Sequence, residues 1–298
     1  RHYYARLLWE NPMRRLMLSL VTGVSLSALP LIAGPAMAKT DAPACAGCKA
    51  PLEKAASNPL RKDDRARDAA RHPVETMQFF GVTPSMKVGE FSPGGAWYSR
   101  FLGLYLGQSG KLVGLYANPD LGAQNERARA SIAAGVAKYP QDLATFTGIP
   151  ADAFTAMTLK DIPEEQKGTF DRILLARALH GLVASNRADS ELRAMRELLK
   201  DDGLIGIEQH RAKADAPFAY SSGPKGYLRE ADVIRLMEIN GFELVAKSEI
   251  NANPKDSANW PDGVWTLPPN LRLKDQDKAK YEAIGESDRM TLLFRKRP

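Results

Sequence analysis

Four groups of residues in this chain have types and spacing suited to chemistry. The first is Glu90-Phe91-Ser92-Pro93-Gly94-Gly95-Ala96-Trp97-Tyr98, where an acid closes an apolar run and two glycines follow. Glycines let a backbone approach a ligand closely, a helix starting after them offers free N–H groups, and a carboxylate there can hold an ammonium or a hydroxyl. The second group is Arg177 with His180, and the third is His210 with Arg211. A histidine can take a proton from an oxygen or nitrogen nucleophile near neutral pH, and Arg177 can meet an anion. The plainer alternatives stay open: His180 as a helix-start or packing residue, His210 as a solvent-facing one, Arg177 in a surface ion pair. Tyr98 reads as a substrate contact or a core residue, Trp97 as core, and His72, before Pro73, as a capping or surface residue. The fourth group is Trp260 and Trp265 among Pro261, Pro268 and Pro269. It reads either as a stiff apolar wall over a small ligand or as a loop packed on the domain. The four histidines, His2, His72, His180 and His210, are scattered without an i, i+4 partner of ligand type, so no metal site is expected.

Strands and helices in alternation must position these groups. The sequence predicts strands at 87–91, 111–116, 170–175 and 204–208, a less regular third strand somewhere in 143–159, and two closing strands at 242–250 and 290–295. Helices are predicted at 73–80, 97–106, 125–138, 190–200 and 229–240. Gly81 and Gly241 serve as their stops where they follow a helix. Residues 58–72 read as a leading helix, 39–58 as a flexible arm, and 251–288 as a helix-free insertion that acts as a lid or as a surface loop. The fold class is therefore α/β: a Rossmann-like, mostly parallel sheet with helices on both faces and an antiparallel last strand pair. Such sheets bind ligands at the carboxyl ends of their strands near the switch point, where the first three groups fall.

Composition narrows the class. The 298 residues are 44% hydrophobic and 26% charged, which excludes a mostly disordered chain, a collagen and a multi-span membrane protein. Met13-Arg14-Arg15 followed by an uncharged apolar run and Ala36-Met37-Ala38 has the layout of a secretory signal peptide, cut after Ala38. Residues 1–12 read as upstream sequence or an extended leader. Periplasmic or secreted localisation, with no stable membrane span after cleavage, is the expectation. Removing Arg1, Arg6, Arg14, Arg15 and Glu10 takes three from the formal charge of +6. The remainder, without a basic run interleaved with aromatics, leaves no nucleic-acid footprint. Cys45 and Cys48 can form a local disulfide in an oxidising compartment; set between Pro43 and Pro51, they read as a structural or incidental pair, with a redox-active C-x-x-C as the alternative.

The motifs together resemble class I S-adenosylmethionine-dependent methyltransferases over roughly 71–298. Glu90 and Gly94 match the acid and the middle glycine of the pattern acid-x-G-x-G-x-G, with Ser92 and Ala96 at the other two glycine positions. Phe170-Asp171 followed by Ala178-Leu179-His180-Gly181-Leu182 resembles the fourth strand of small-molecule methyltransferases, and 192–207 the helix and fifth strand. R-H-P-x-E-T-x-x-F-F-G-V, P-G-G-x-W-Y and I-G-E-S-D-R-M look like those of a bacterial group of exported predicted methyltransferases. The resemblance implies S-adenosylmethionine as cofactor, held by Glu90, Ser92, Gly94, Gly95, Tyr116 and Asn118. It implies His180 and His210 as catalytic candidates. The contacts to a small-molecule or envelope acceptor would be Tyr98, Arg177, Trp260 and Trp265. Tyr116 stands where the family has an acid for the ribose hydroxyls, and Asn118 or Asp120 can accept that hydrogen bond instead. Two other classes remain: a binding or accessory protein that keeps the fold without catalysis, and another enzyme such as a dehydrogenase, which the missing G-x-G-x-x-G disfavours.

Overall fold

A computed structural model describes Cys45 and residues 47–122 and 125–298. The expected leader, and most of the arm before Gly47, lie outside the described residues. Seven strands form one sheet: β1 Lys87–Phe91, β2 Lys111–Tyr116, β3 Phe154–Thr158, β4 Phe170–Ala176, β5 Leu199–His210, β6 Phe242–Ser248 and β7 Arg289–Lys296. Their order is β3-β2-β1-β4-β5-β7-β6. Strands β1 to β5 run parallel, and β7 inserts antiparallel between β5 and β6. This is the mostly parallel, Rossmann-like sheet with an antiparallel last strand pair that the sequence predicts. The order reverses between β1 and β4, so a crevice must open past their carboxyl ends.

Among the described residues there are ten α-helices: α1 Lys49–Ala56, α2 Asp68–Arg71, α3 Pro73–Phe79, α4 Trp97–Leu106, α5 Glu126–Thr147, α6 Leu179–Ala184, α7 Ala188–Leu198, α8 Phe218–Ser221, α9 Glu230–Ile239 and α10 Lys278–Ile284. Strand residues alternate between the two faces. Val88, Leu112, Leu174, Leu204 and Leu293 meet Leu52, Met77, Phe101 and Leu143 from α1, α3, α4 and α5. Their neighbours Val113, Ile173, Ile205 and Leu292 meet Leu179, Leu192, Met195, Val233 and Met237 from α6, α7 and α9.

Four expectations change. Residues 49–56 are not part of a flexible arm: they form α1, with Leu52 and Ala55 buried. The Cys45–Cys48 disulfide lies just ahead of α1. Residues 58–72 are not one helix but two short 3-10 turns, Pro59–Arg61 and Arg65–Arg67, and then α2. His72 follows in a left-handed conformation and Pro73 starts α3. Helix α5 runs through Pro140 to Thr147 rather than stopping at 138, because Tyr139 and Leu143 on its inner face are buried and that packing outweighs one lost hydrogen bond. The third strand lies within the expected 143–159, at Phe154–Thr158. The insertion 251–288 is not helix-free, since it holds a 3-10 turn Gly263–Thr266 and α10. Among the described residues, no helix is long and apolar enough to cross a membrane.

Phe80 lies against the sheet where Gly206 leaves no Cβ in its way: a Cβ there would sit 2.6 Å from the ring. Gly206→Ala is expected to cost about 1–3 kcal/mol by overpacking. Gly95→Ala, whose Cβ would meet nothing within 4 Å, should leave thermal unfolding nearly unchanged. Equal melting temperatures for the two variants would refute this account of the Phe80 contact.

Candidate active site

The carboxyl end of β1 delivers Glu90 into the α4 face of the sheet, where it is buried. Ser92 and Ala96, at the positions of the first and third glycines, adopt φ of 54° and 57°, and Gly94 is also at 54°. The loop thus keeps a left-handed path that costs a non-glycine residue free energy. Ser99 in the first turn of α4 donates to Glu90 Oε2 at 2.5 Å. Burial nevertheless pushes the Glu90 carboxyl up to about 7.

Beyond this loop lies a cavity of about 390 Å³. Glu90, Ser92, Gly95 and Tyr98 face it from β1 and α4, Arg177 and His180 from the end of β4 and the start of α6, and His210 from the end of β5. Val264, Trp265, the cis-linked Pro268-Pro269 and Asn270 come from the insertion. Arg67, Arg71, Glu286 and Ser287 complete it. A smaller recess of about 290 Å³, lined by Ser92, Ala117, Arg177, His180 and Arg187, adjoins it. A more open groove of about 950 Å³ runs past Ser92, Tyr116, Ala117, Asn125, Ser131 and Arg187. Ser92 borders all three, so the clefts follow one another along the carboxyl edge of the sheet from β2 to β5.

A buried ionic cluster supports the cavity. Glu208, on β5 and without exposed surface, accepts from Tyr98 Oη at 2.7 Å and from Arg177 Nη1 at 3.2 Å. Arg289 Nη1, the first residue of β7, stands 3.1 Å from the same carboxylate. Burial opposes ionisation of Glu208, but Arg177 and Arg289 outweigh it and hold the carboxyl below the usual range. Arg289 also reaches Glu286 at 3.0 Å, and Arg71 donates to Glu286 at 2.9 Å. Burial, with Glu208 beside it, raises Tyr98 well above an ordinary phenol.

The two histidines stand together, ring centroids 5.6 Å apart. Gln209 donates its amide to Gly226 O at 2.8 Å, which turns Gln209 Oε1 toward the backbone N–H and Nδ1 of His180 at 3.3 and 3.4 Å. This amide orientation places the His180 proton on Nδ1 and leaves Nε2 as the basic nitrogen. Burial lowers the His180 pKa, and burial and His180 lower that of His210 well below its ordinary value. Both are neutral at pH 7. Ser287 Oγ lies 2.5 Å from His210 Nδ1.

Glu90, Ser92, Gly95, Tyr98, Arg177, His180, His210 and Trp265 all line one cavity, with His180 inside α6 rather than at the end of β4. Gly94 belongs to the loop, whereas Tyr116 lines the open groove, its ring edge-on to Tyr139. Two expectations do not hold in place. Trp260 is turned away: its Nε1 donates to Asp256 at 2.7 Å and its ring packs on Tyr281, because the buried Asp256 carboxylate gathers donors there. Asn118 does not line the clefts: its Oδ1 accepts from the Asp120 N–H in a local turn, and Asp120 pairs with Lys160. Sequence reasoning missed Glu208, Arg71, Glu286, Ser287 and Arg289. The available signals were a glutamate inside the apolar run Leu204–Glu208, and the quoted R-H-P and G-E-S-D-R-M segments, which the cluster brings together.

No protein-family signature and no curated protein matches this chain. Among solved structures it is similar to a SAM-dependent methyltransferase from Aquifex aeolicus, at 17% identity and a TM-score of 0.46 over 64% of this chain and 91% of that one. It is also similar to the [4+2]-cyclase SpnF, at 13% identity and a TM-score of 0.48 over 86% and 97%. A third is the Burkholderia thailandensis 1,6-didemethyltoxoflavin-N1-methyltransferase with S-adenosylhomocysteine bound, at 14% identity and a TM-score of 0.42 over 84% and 80%.

Two measurements probe the electrostatics. Glu208→Gln leaves Arg177 and Arg289 without their shared buried counter-charge, and a loss of about 3–5 kcal/mol in denaturant unfolding is expected; a loss under about 1 kcal/mol would contradict the cluster's role. Glu90 holds its proton to about pH 7 when folded but releases it near 4.5 when unfolded. Its contribution is therefore complete below 4.5 and lost as pH rises to 7. Glu90→Gln should gain melting temperature on the wild type steadily across that window and no further above it. A difference independent of pH would remove the elevated Glu90 pKa.

Proposed function

We propose that the protein is an S-adenosylmethionine-dependent methyltransferase acting on a small molecule or an envelope component. The observation that carries this reading is the loop at the switch point: a buried carboxylate at the end of β1, a left-handed turn at 92–96 and the start of α4, with clefts on both sides. The chain's own groups suit the cofactor. Glu90 offers a carboxylate for its ammonium. Arg187, which borders the recess and the groove, has a buried Nη1 without a partner and suits its carboxylate. Ser92 and Tyr116 border the nucleoside side. Bound S-adenosylmethionine supplies a methyl group already activated on a sulfonium.

The protein's remaining task is alignment and proton removal. His180, neutral at pH 7 with Nε2 free of a protein partner among the described residues, accepts the proton from an oxygen or nitrogen nucleophile. His210 stands beside it as a second neutral base whose ring Ser287 steadies. Trp265 closes the cavity against His180, ring centroids 5.9 Å apart, and supports the lid reading for the 263–270 part of the insertion. The leader read over 13–38 supports action in the periplasm or outside the cell.

A second reading, a binding or accessory protein on the same fold, is favoured by one observation: among the described residues no carboxylate lines the open groove, since Tyr116 stands in that place and Asn118 is engaged in its own turn. Calorimetric titration with S-adenosylmethionine and S-adenosylhomocysteine separates the two. One-to-one binding, reduced at least about tenfold by Glu90→Ala and by Arg187→Ala, is expected for the methyltransferase. No binding by folded protein at millimolar ligand would favour the second reading. Once an acceptor is found, His180→Ala should lower turnover about 100-fold or more and leave S-adenosylhomocysteine binding intact.

A further inference from the structure

Four arginines line the cavity of about 390 Å³, and three are already matched. Arg71 donates to Glu286, Arg100 forms a two-point pair with Asp64, and Arg177 pairs with Glu208. Arg67, partly buried at the end of the Arg65–Arg67 turn, has no ion pair and no side-chain hydrogen bond among the described residues. The charges on and just behind the walls are Arg67, Arg71, Arg100, Arg177 and Arg289 against Asp64, Glu90, Glu208 and Glu286. The cavity therefore keeps a positive surplus even with Glu90 ionised, and both histidines facing it are neutral. The wall formed by Val264, Trp265, Pro268 and Pro269 is apolar. A cavity of this shape and size holds a small body against that wall with an anionic head on the arginine side.

We propose that the cavity takes a small organic anion, a carboxylate or phosphate ester with a compact apolar body, and that the Arg67 guanidinium is its counter-ion. A planar guanidinium meets either head group at two points. The inference rests on the reading of this cavity as the acceptor site, and names the acceptor's chemical class. The anion site itself needs no bound donor, so the two readings can be tested apart.

The test is titration of the full chain, without donor, with benzoate, phenyl phosphate and benzyl alcohol, followed by tryptophan fluorescence and calorimetry at low ionic strength. At least one of the two anions should bind about tenfold more tightly than the neutral alcohol, the span of a charge-assisted hydrogen bond. The preferred one tells carboxylate from phosphate. The preference should shrink as salt is raised. Arg67→Ala should lose the preference, leave benzyl alcohol binding and the melting temperature unchanged, and be rescued in part by Arg67→Lys. If Arg67→Ala does not fold, Arg67→Gln and the salt dependence carry the same decision. Equal affinity for all three probes, no anion binding, or anion binding indifferent to Arg67 would overturn the proposal. Arg67-dependent anion binding in a protein that fails to bind S-adenosylhomocysteine would instead retain the anion site and remove the methyltransferase reading.

Discussion

An ionised carboxylate with no exposed surface, Glu208 in the middle of a seven-stranded sheet, sets the terms for everything around it. Moving such a group out of water costs several kcal/mol unless charges and donors surround it. Three segments supply them. Tyr98 comes from the start of α4, Arg177 from a left-handed turn after β4, and Arg289 from the first residue of β7. Each is held where it is by the need to satisfy that carboxylate, and each then forms part of a cavity wall. The cavity is the space left when α4, β4 and β7 converge on one buried charge. Removing both sides of such a cluster for apolar residues is often harmless to stability; its retention here fits a role in shaping the pocket.

Much of the architecture was legible. The bounds of β1, β2 and α4 follow from an apolar alternation, a glycine turn and a ten-residue apolar-rich helix, all local signals. The antiparallel closing pair was read from two strands without a confident helix between them. Errors fell where tertiary packing overrode local chemistry. The helix predicted over 125–138 continues through Pro140 to Thr147 because residues on both sides of the proline are drawn into the core. Lys49–Ala56 looks like linker by composition, yet Leu52 finds a place among Met77 and Phe101. Residues 58–72 are too densely charged to show that Arg61 is buried against Asp68 and the rings of Trp97 and Phe101.

The candidate site divides the same way. The Glu90 loop and the two histidines could be picked out because motif, strand end and helix start lie within a few residues of one another. The ionic cluster as a whole could not, because partners such as Arg71 and Glu286 stand 215 residues apart in sequence, and only Tyr98 and Arg177 lie beside a candidate-site motif. Trp260 shows the converse: an aromatic near prolines in an insertion invites a binding role, but one buried aspartate is enough to turn it into the domain. The turn at 92–96 is instructive about motifs. Serine and alanine there follow the left-handed path usually given to glycine, so shape persists where the letters do not.

The placement of β7 bears on how the protein comes to exist in a cell. The last strand among the described residues enters between β5 and β6 rather than at the sheet's edge, and it carries Arg289, with Glu286 and Ser287 just ahead of it. Until those residues have left the ribosome, β5 and β6 lack their common neighbour and Glu208 lacks one of its cations. A nascent chain thus has neither a closed core nor a finished cavity.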